Sequence, residues 1–77
     1  MKLNKEKNIG LVGAGFWGKN LVRVFNKLGV LKIICDIDKK VLAERKREYP
    51  DIKTTTNFLE LLKDKNIKAV VIAAPAA

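Results

Sequence analysis

Histidine is absent from this sequence. That removes the side chain most used as a proton carrier near neutral pH and the commonest nitrogen ligand of metals. Neither a metal centre nor a histidine-based acid–base site can be proposed for it. A single cysteine, Cys35, excludes an internal disulfide and fits a reducing cytoplasm. With no activating group nearby in the sequence, Cys35 reads as a small core residue and not as a nucleophile. No apolar run reaches the ~18 residues that a membrane span needs, so no membrane partner is expected. Residues 1–7 are charged and lead into no signal-peptide core. Aromatic residues are scarce, at 6%. Acidic residues are in the minority, eight against sixteen Lys and Arg, which leaves a net charge of +8. Such a charge raises the question of a nucleic-acid partner. The basic residues, however, are dispersed along the chain and lack the aromatic neighbours on which bases stack. They read as a solvated lysine-rich surface, with no nucleic acid bound.

What is present is apolar and periodic. Hydrophobic residues make up 48% of the 77 positions, enough for the core of one small domain. A chain of this size buries only ~60% of the surface its unfolded form exposes, so its stability should be marginal.

Strand-like and helix-like segments alternate. Residues 8–12 form a short apolar run between lysines and glycines, as a buried strand does. Beyond a glycine-rich turn, Leu21, Val22, Phe25 and Leu28 make one helical stripe, and Gly29 stands where a left-handed C-cap belongs. Residues 30–35 form a second strand. Asp38 reads as the N-cap of a helix running to about Tyr49 and stopped by Pro50. Residues 52–55 suggest a short edge strand. Asn57 with Glu60 resembles a capping box opening a helix over residues 58–63. Residues 69–74 are apolar without alternation, which predicts a strand covered on both faces. This order predicts an α/β fold with a parallel sheet of about four strands, in the order 3-2-1-4, flanked by helices.

The turn carries chemistry. Gly13-Ala14-Gly15-Phe16-Trp17-Gly18 fits G-x-G-x-x-G and lies between a strand and a helix, the context that gives the pattern meaning. Gly13 permits the tight turn, Gly15 leaves room for a pyrophosphate against the backbone, and Gly18 lets the helix approach the strand. The amides and the positive dipole end of the helix then face the phosphates. Asp36 follows Gly18 by eighteen residues, at the end of the second strand, where a carboxylate accepts from the adenosine ribose hydroxyls. It also repels a 2′-phosphate, which favours NAD over NADP. A tight turn alone would account for the three glycines but not for Asp36. Phe16 and Trp17 could lie against the cofactor; Trp17 could equally cover the first helix against a neighbouring domain. Asp38 reads as an N-cap ahead of a second ribose ligand. Pro75 terminates the last strand, whose end borders the cofactor crevice.

These residues resemble the N-terminal part of the glucose–fructose oxidoreductase / inositol dehydrogenase (Gfo/Idh/MocA) family. The likeness is carried by Gly-Ala-Gly-Phe-Trp-Gly-Lys-Asn (13–20), Cys-Asp-Ile-Asp (35–38), Tyr-Pro (49–50), Thr-Asn-Phe-Leu-Glu-Leu-Leu (56–62) and Ala-Val-Val-Ile-Ala-Ala-Pro-Ala (69–76). The Phe-Trp-Gly-Lys-Asn stretch is most similar to the branch acting on UDP-N-acetyl-hexosamines and hexosaminuronates. The resemblance implies NAD(P)-dependent hydride transfer at a sugar hydroxyl carbon. It implies Gly13, Gly15 and Gly18 at the pyrophosphate, Asp36 at the ribose, Ile37 at the adenine edge, and Ala74 and Pro75 along the cofactor. The family's catalytic lysine lies in a Glu-Lys-Pro motif after a further helix and strand, followed by a substrate domain; residues 1–77 contain neither. Arg45 and Lys46 stand where the family usually carries apolar residues, which puts the packing of that helix in question.

The expectation is therefore a single partial NAD(P)-binding Rossmann domain over residues 1–77, half of a doubly wound fold, with no catalytic residue of its own. It reads as a fragment of an oxidoreductase. The alternatives are a stand-alone module that senses NAD or an adenine nucleotide, and an oligomerisation module that kept only the scaffold. An apolar fourth strand without an outer neighbour predicts a homodimer or higher homo-oligomer.

Overall fold

A computed structural model describes residues 7–15 and 18–73. Seven elements follow one another: β1 (Ile9–Val12), α1 (Gly18–Leu28), β2 (Leu31–Cys35), α2 (Lys39–Glu48), β3 (Lys53–Thr55), α3 (Phe58–Lys63) and β4 (Ala69–Ile72). The four strands are parallel in the order β3-β2-β1-β4. This is the α/β, Rossmann-like arrangement that the alternating pattern predicts.

Two apolar layers sandwich the sheet. On one face Leu11, Ala14, Val22, Leu31, Ile34, Leu42 and Ile52 are buried together, joining α1 and α2 to the strands. On the other, Ile33, Cys35 and Leu61 form a smaller cluster under α3. Leu61 sits directly over Gly10: a Cβ there would stand 2.9 Å from the Leu61 Cγ. Absence of a side chain in the middle of β1 is what lets α3 lie flat on the sheet.

The helix ends follow the sequence signals. Asp38 caps α2, its side chain accepting from the Lys40 amide at 2.9 Å. Gly29 has φ +76°, and the Gly29 and Val30 amides donate back to Asn26 and Phe25 at 2.9 and 3.2 Å, closing α1 in a Schellman turn. The start of α3 departs from a simple capping box. Asn57 does cap it, accepting from Leu59 N at 2.9 Å. Its own amide, however, is taken by the Thr55 hydroxyl at 3.0 Å, and that hydroxyl donates to Glu60. The threonine, buried at the end of β3, is interposed between the glutamate and the cap.

Two strands depart in detail from the simple reading. The second strand forms where the apolar run places it, with a feature the run does not announce: Ile9 pairs with Leu31 and Gly10 with Ile33, so Lys32 is an extra residue in a bulge. The bulge lets Leu31 and Ile34 face the same layer, while Lys32 pairs with Asp64 beyond α3 at 2.7 Å. The apolar run at 69–74 predicts a strand covered on both faces. β4 stands at the edge that the order 3-2-1-4 gives it, but its faces are incompletely covered, with Ala69 exposed, Val70 and Val71 half-buried and Ile72 66% exposed.

Arg45 answers the question raised over α2. It is turned inward and 4% exposed, with Nη2 2.9 Å from Glu44 and Nη1 3.2 Å from Glu48. Its Nε and Nη1 have no hydrogen-bond acceptor among the described residues.

Candidate functional site

The C-terminal ends of β1 and β2 meet at one loop cluster. Gly13, just beyond β1, has φ +89°, a conformation that L side chains rarely adopt. Its amide donates to the carbonyl of Cys35 at 2.8 Å, which ties the turn to the end of β2. From there the chain turns into α1, whose first residue, Gly18, is buried against the turn. A Cβ on Gly18 would stand 1.8 Å from the Gly13 oxygen, so no side chain fits. Gly15 is the opposite case: a Cβ there would meet nothing within 4 Å among the described residues. The glycine turn thus has one residue pressed against its own backbone and one whose side-chain position no described residue occupies. Phe16 and Trp17 lie outside the described residues.

Asp36 follows β2 and sits half-buried beside this turn. Its Oδ2 accepts from the Ala14 amide at 2.9 Å and its Oδ1 from the Asp38 amide at 2.8 Å. Its own amide donates to the carbonyl of Thr55 at 3.1 Å. The carboxylate is therefore held by two loop amides, and the Asp36 backbone by the end of β3. Ile37 projects beside it at 90% exposure, an aliphatic side chain left in water next to a carboxylate. The structure brings together Gly13, Gly15, Gly18, Asp36 and Ile37, the residues singled out in the sequence. Ala74 and Pro75 lie outside the described residues.

Cys35 stands beneath the loops, 3% exposed. Burial, then the neighbouring carboxylates of Asp36 and Glu60, push its thiol above the ordinary value. It is held as the neutral, unreactive form. Among the described residues no cluster of three or more His, Cys, Asp or Glu could hold a metal ion.

Sequence reading missed the Ala14 amide and the Thr55 relay. The first leaves no trace in residue type, because any residue but proline supplies that N–H. The second had a usable signal in the Thr-x-Asn-x-x-Glu spacing of residues 55–60.

Residues 7–77 match the model of the Gfo/Idh/MocA oxidoreductase family, NAD-binding Rossmann fold. The chain belongs to that family. It is an NAD-binding Rossmann domain of the oxidoreductase type. Among solved structures, the chain is similar to GenD2 from gentamicin A biosynthesis, in complex with NAD. The TM-score is 0.83 at 26% identity, over 100% of this chain and 22% of that one. The fold also matches the WlbA dehydrogenase from Bordetella pertussis, in complex with NADH and UDP-GlcNAcA. Here the TM-score is 0.76 at 24% identity, over 97% of this chain and 23% of that one. The chain thus spans less than a quarter of the length of either. No curated protein matches it.

Proposed function

We propose that residues 1–77 hold the adenosine and pyrophosphate side of an NAD molecule, as the cofactor-binding portion of an oxidoreductase acting on a sugar or nucleotide-sugar hydroxyl. The observation that carries this is the pairing of an open Gly15 with an Asp36 carboxylate fixed beside it. The residues fit the group. Open space at Gly15 admits a phosphate to the backbone, the first turn of α1 supplies a positive dipole end, and Asp36 retains free lone pairs for ribose hydroxyls. Ile37 offers an apolar edge for the adenine. Ala74 and Pro75, with Phe16 and Trp17, complete the proposed contacts. The nicotinamide supplies hydride chemistry; the residues described here bind and orient, and none is assigned a catalytic step. The nucleotide-sugar reading rests on the Phe-Trp-Gly-Lys-Asn stretch and the family membership.

The cofactor proposed is NAD rather than NADP, because a 2′-phosphate would meet the Asp36 carboxylate. Parallel titrations with NAD and NADP, on the native chain and on Asp36→Ala, test this. We expect the native chain to prefer NAD and the variant to lose that preference; equal binding of both by the native chain contradicts it.

For partners, we propose self-association through β4. It is an edge of the described sheet, and its apolar side chains are incompletely covered. Lys65 and Lys68 flank that edge without interrupting it. Sedimentation equilibrium on the 77-residue chain should show a dimer, and a clean 8.6 kDa monomer at high micromolar concentration contradicts it. The unpaired, buried Cys35 fits a reducing compartment, and we place the protein in the cytoplasm. No helix among the described residues is long and apolar enough to cross a membrane.

A further inference from the structure

Asp36 does something in the protein before any ligand arrives. Its two carboxylate oxygens each hold a backbone amide, one from each of the two loops that frame the crevice. Oδ2 takes Ala14 N, the second residue of the glycine turn, across twenty-two positions of sequence. Oδ1 takes Asp38 N, in the turn that opens α2. Ala14 is wholly buried, so if the carboxylate were lost its amide would have little access to water in compensation. The backbone bond from Gly13 N to Cys35 O holds the same turn one residue earlier, leaving Ala14 as the point at which a side chain takes over.

The geometry points to Asp36 as a positioning residue for the phosphate-binding turn, in addition to its proposed place at the ribose. This rests on the reading of the turn as the dinucleotide site, and it deepens that reading. The carboxylate fixes the direction of the Ala14–Gly15 backbone, and so the space into which a pyrophosphate fits.

The two roles predict opposite signs for a ligand with phosphates and no ribose. A carboxylate that served only the ribose would repel inorganic pyrophosphate, and removing it would tighten binding. A carboxylate that sets the turn must weaken pyrophosphate binding when removed, although a negative charge has gone. Asp36→Asn keeps one carbonyl oxygen and can hold one of the two amides; Asp36→Ala can hold neither.

The experiment uses the 77-residue chain in two measurements. In the first, amide hydrogen exchange is followed without ligand in the native chain and in Asp36→Ala. Ala14 N–H should be protected in the native chain and should exchange about tenfold faster in the variant relative to the amides of β1, the loss of one charge-assisted hydrogen bond. In the second, inorganic pyrophosphate is titrated against native, Asp36→Asn and Asp36→Ala chains. Affinity should fall in that order, by about tenfold overall. Unchanged Ala14 exchange in a folded Asp36→Ala, or tighter pyrophosphate binding by either variant, overturns the positioning role. Failure of the native chain to bind pyrophosphate would count against the dinucleotide reading itself, and the exchange measurement would then decide the positioning role alone. Should Asp36→Ala fail to fold, Asp36→Leu, branched like aspartate at Cγ and as unable as alanine to accept from an amide, replaces it in both measurements.

Discussion

A side chain on Gly18 would stand 1.8 Å from the carbonyl oxygen of Gly13. The two glycines therefore set the distance between the first strand and the first helix. The obstacle is backbone, not a flexible side-chain end, and it cannot rotate away. Gly18→Ala should destabilise the fold by about 3 kcal/mol, at the upper end for overpacking, a large share of what a domain this small possesses. Urea denaturation checks it; a loss below about 1 kcal/mol would mean that the turn relaxes more easily than its packing implies.

Gly15→Ala separates binding from folding. The residue is not in the left-handed region, and an added methyl meets nothing within 4 Å among the described residues. Stability should change by less than about 1 kcal/mol. NAD affinity should fall by about tenfold or more, since the methyl occupies the proposed approach of the pyrophosphate. Calorimetric titration beside a denaturation curve reads both. Unchanged affinity would move the phosphates away from Gly15.

Arg45→Met should hold or raise stability, by up to about 2 kcal/mol. A buried guanidinium with donors left unpaired gives back less than its desolvation costs, and a thioether fills a similar volume. Thermal melts of the two proteins compare them. A clear drop in Tm would show that the ion pairs with Glu44 and Glu48 outweigh the burial.

Asp64 gives the fold a pH dependence of definite sign. The hydrogen bond from Lys32, with the Asn66 amide behind it, holds its carboxyl below the ordinary value of 3.8. A group whose folded value is depressed stabilises the protein above the unfolded value, and that contribution fades as pH falls through the folded one. Lys32→Met should therefore move the acid-unfolding midpoint upward and leave stability at pH 7 only slightly lower, as expected for a pair still partly open to solvent. An unmoved acid midpoint would show that the pair does not form in solution.

The fold was legible because its signals are local and redundant. Helix α2 has Asp38 before it and Pro50 behind it, α1 ends on Gly29, and β1, β2 and β4 are short, largely apolar runs between turn residues. What escaped the reading depends on partners distant in sequence. The bulge at Lys32 arises only from pairing with β1, and no feature of residues 31–35 announces it. The seat of Leu61 on Gly10 joins residues far apart in the chain, where a lone glycine in a strand reads only as a weakness. Residues 69–74 suggested burial on two faces, because composition reports what a strand can bury and not which neighbours cover it. The candidate site was legible in Gly13, Gly15, Gly18 and Asp36. The Ala14 amide that Asp36 holds was not, since it belongs to the backbone.

The central claim is that the glycine turn and Asp36 together receive NAD. It is tested most directly by adding NAD to millimolar concentration to the isotopically labelled 77-residue chain and following its amide resonances. The account predicts shifts at Gly13, Ala14, Gly15 and Gly18 together with Asp36 and Ile37, while α3 and its Asp64–Lys32 contact stay still. Unmoved glycine-turn amides, or shifts spread over the lysine-rich surface alone, would contradict it.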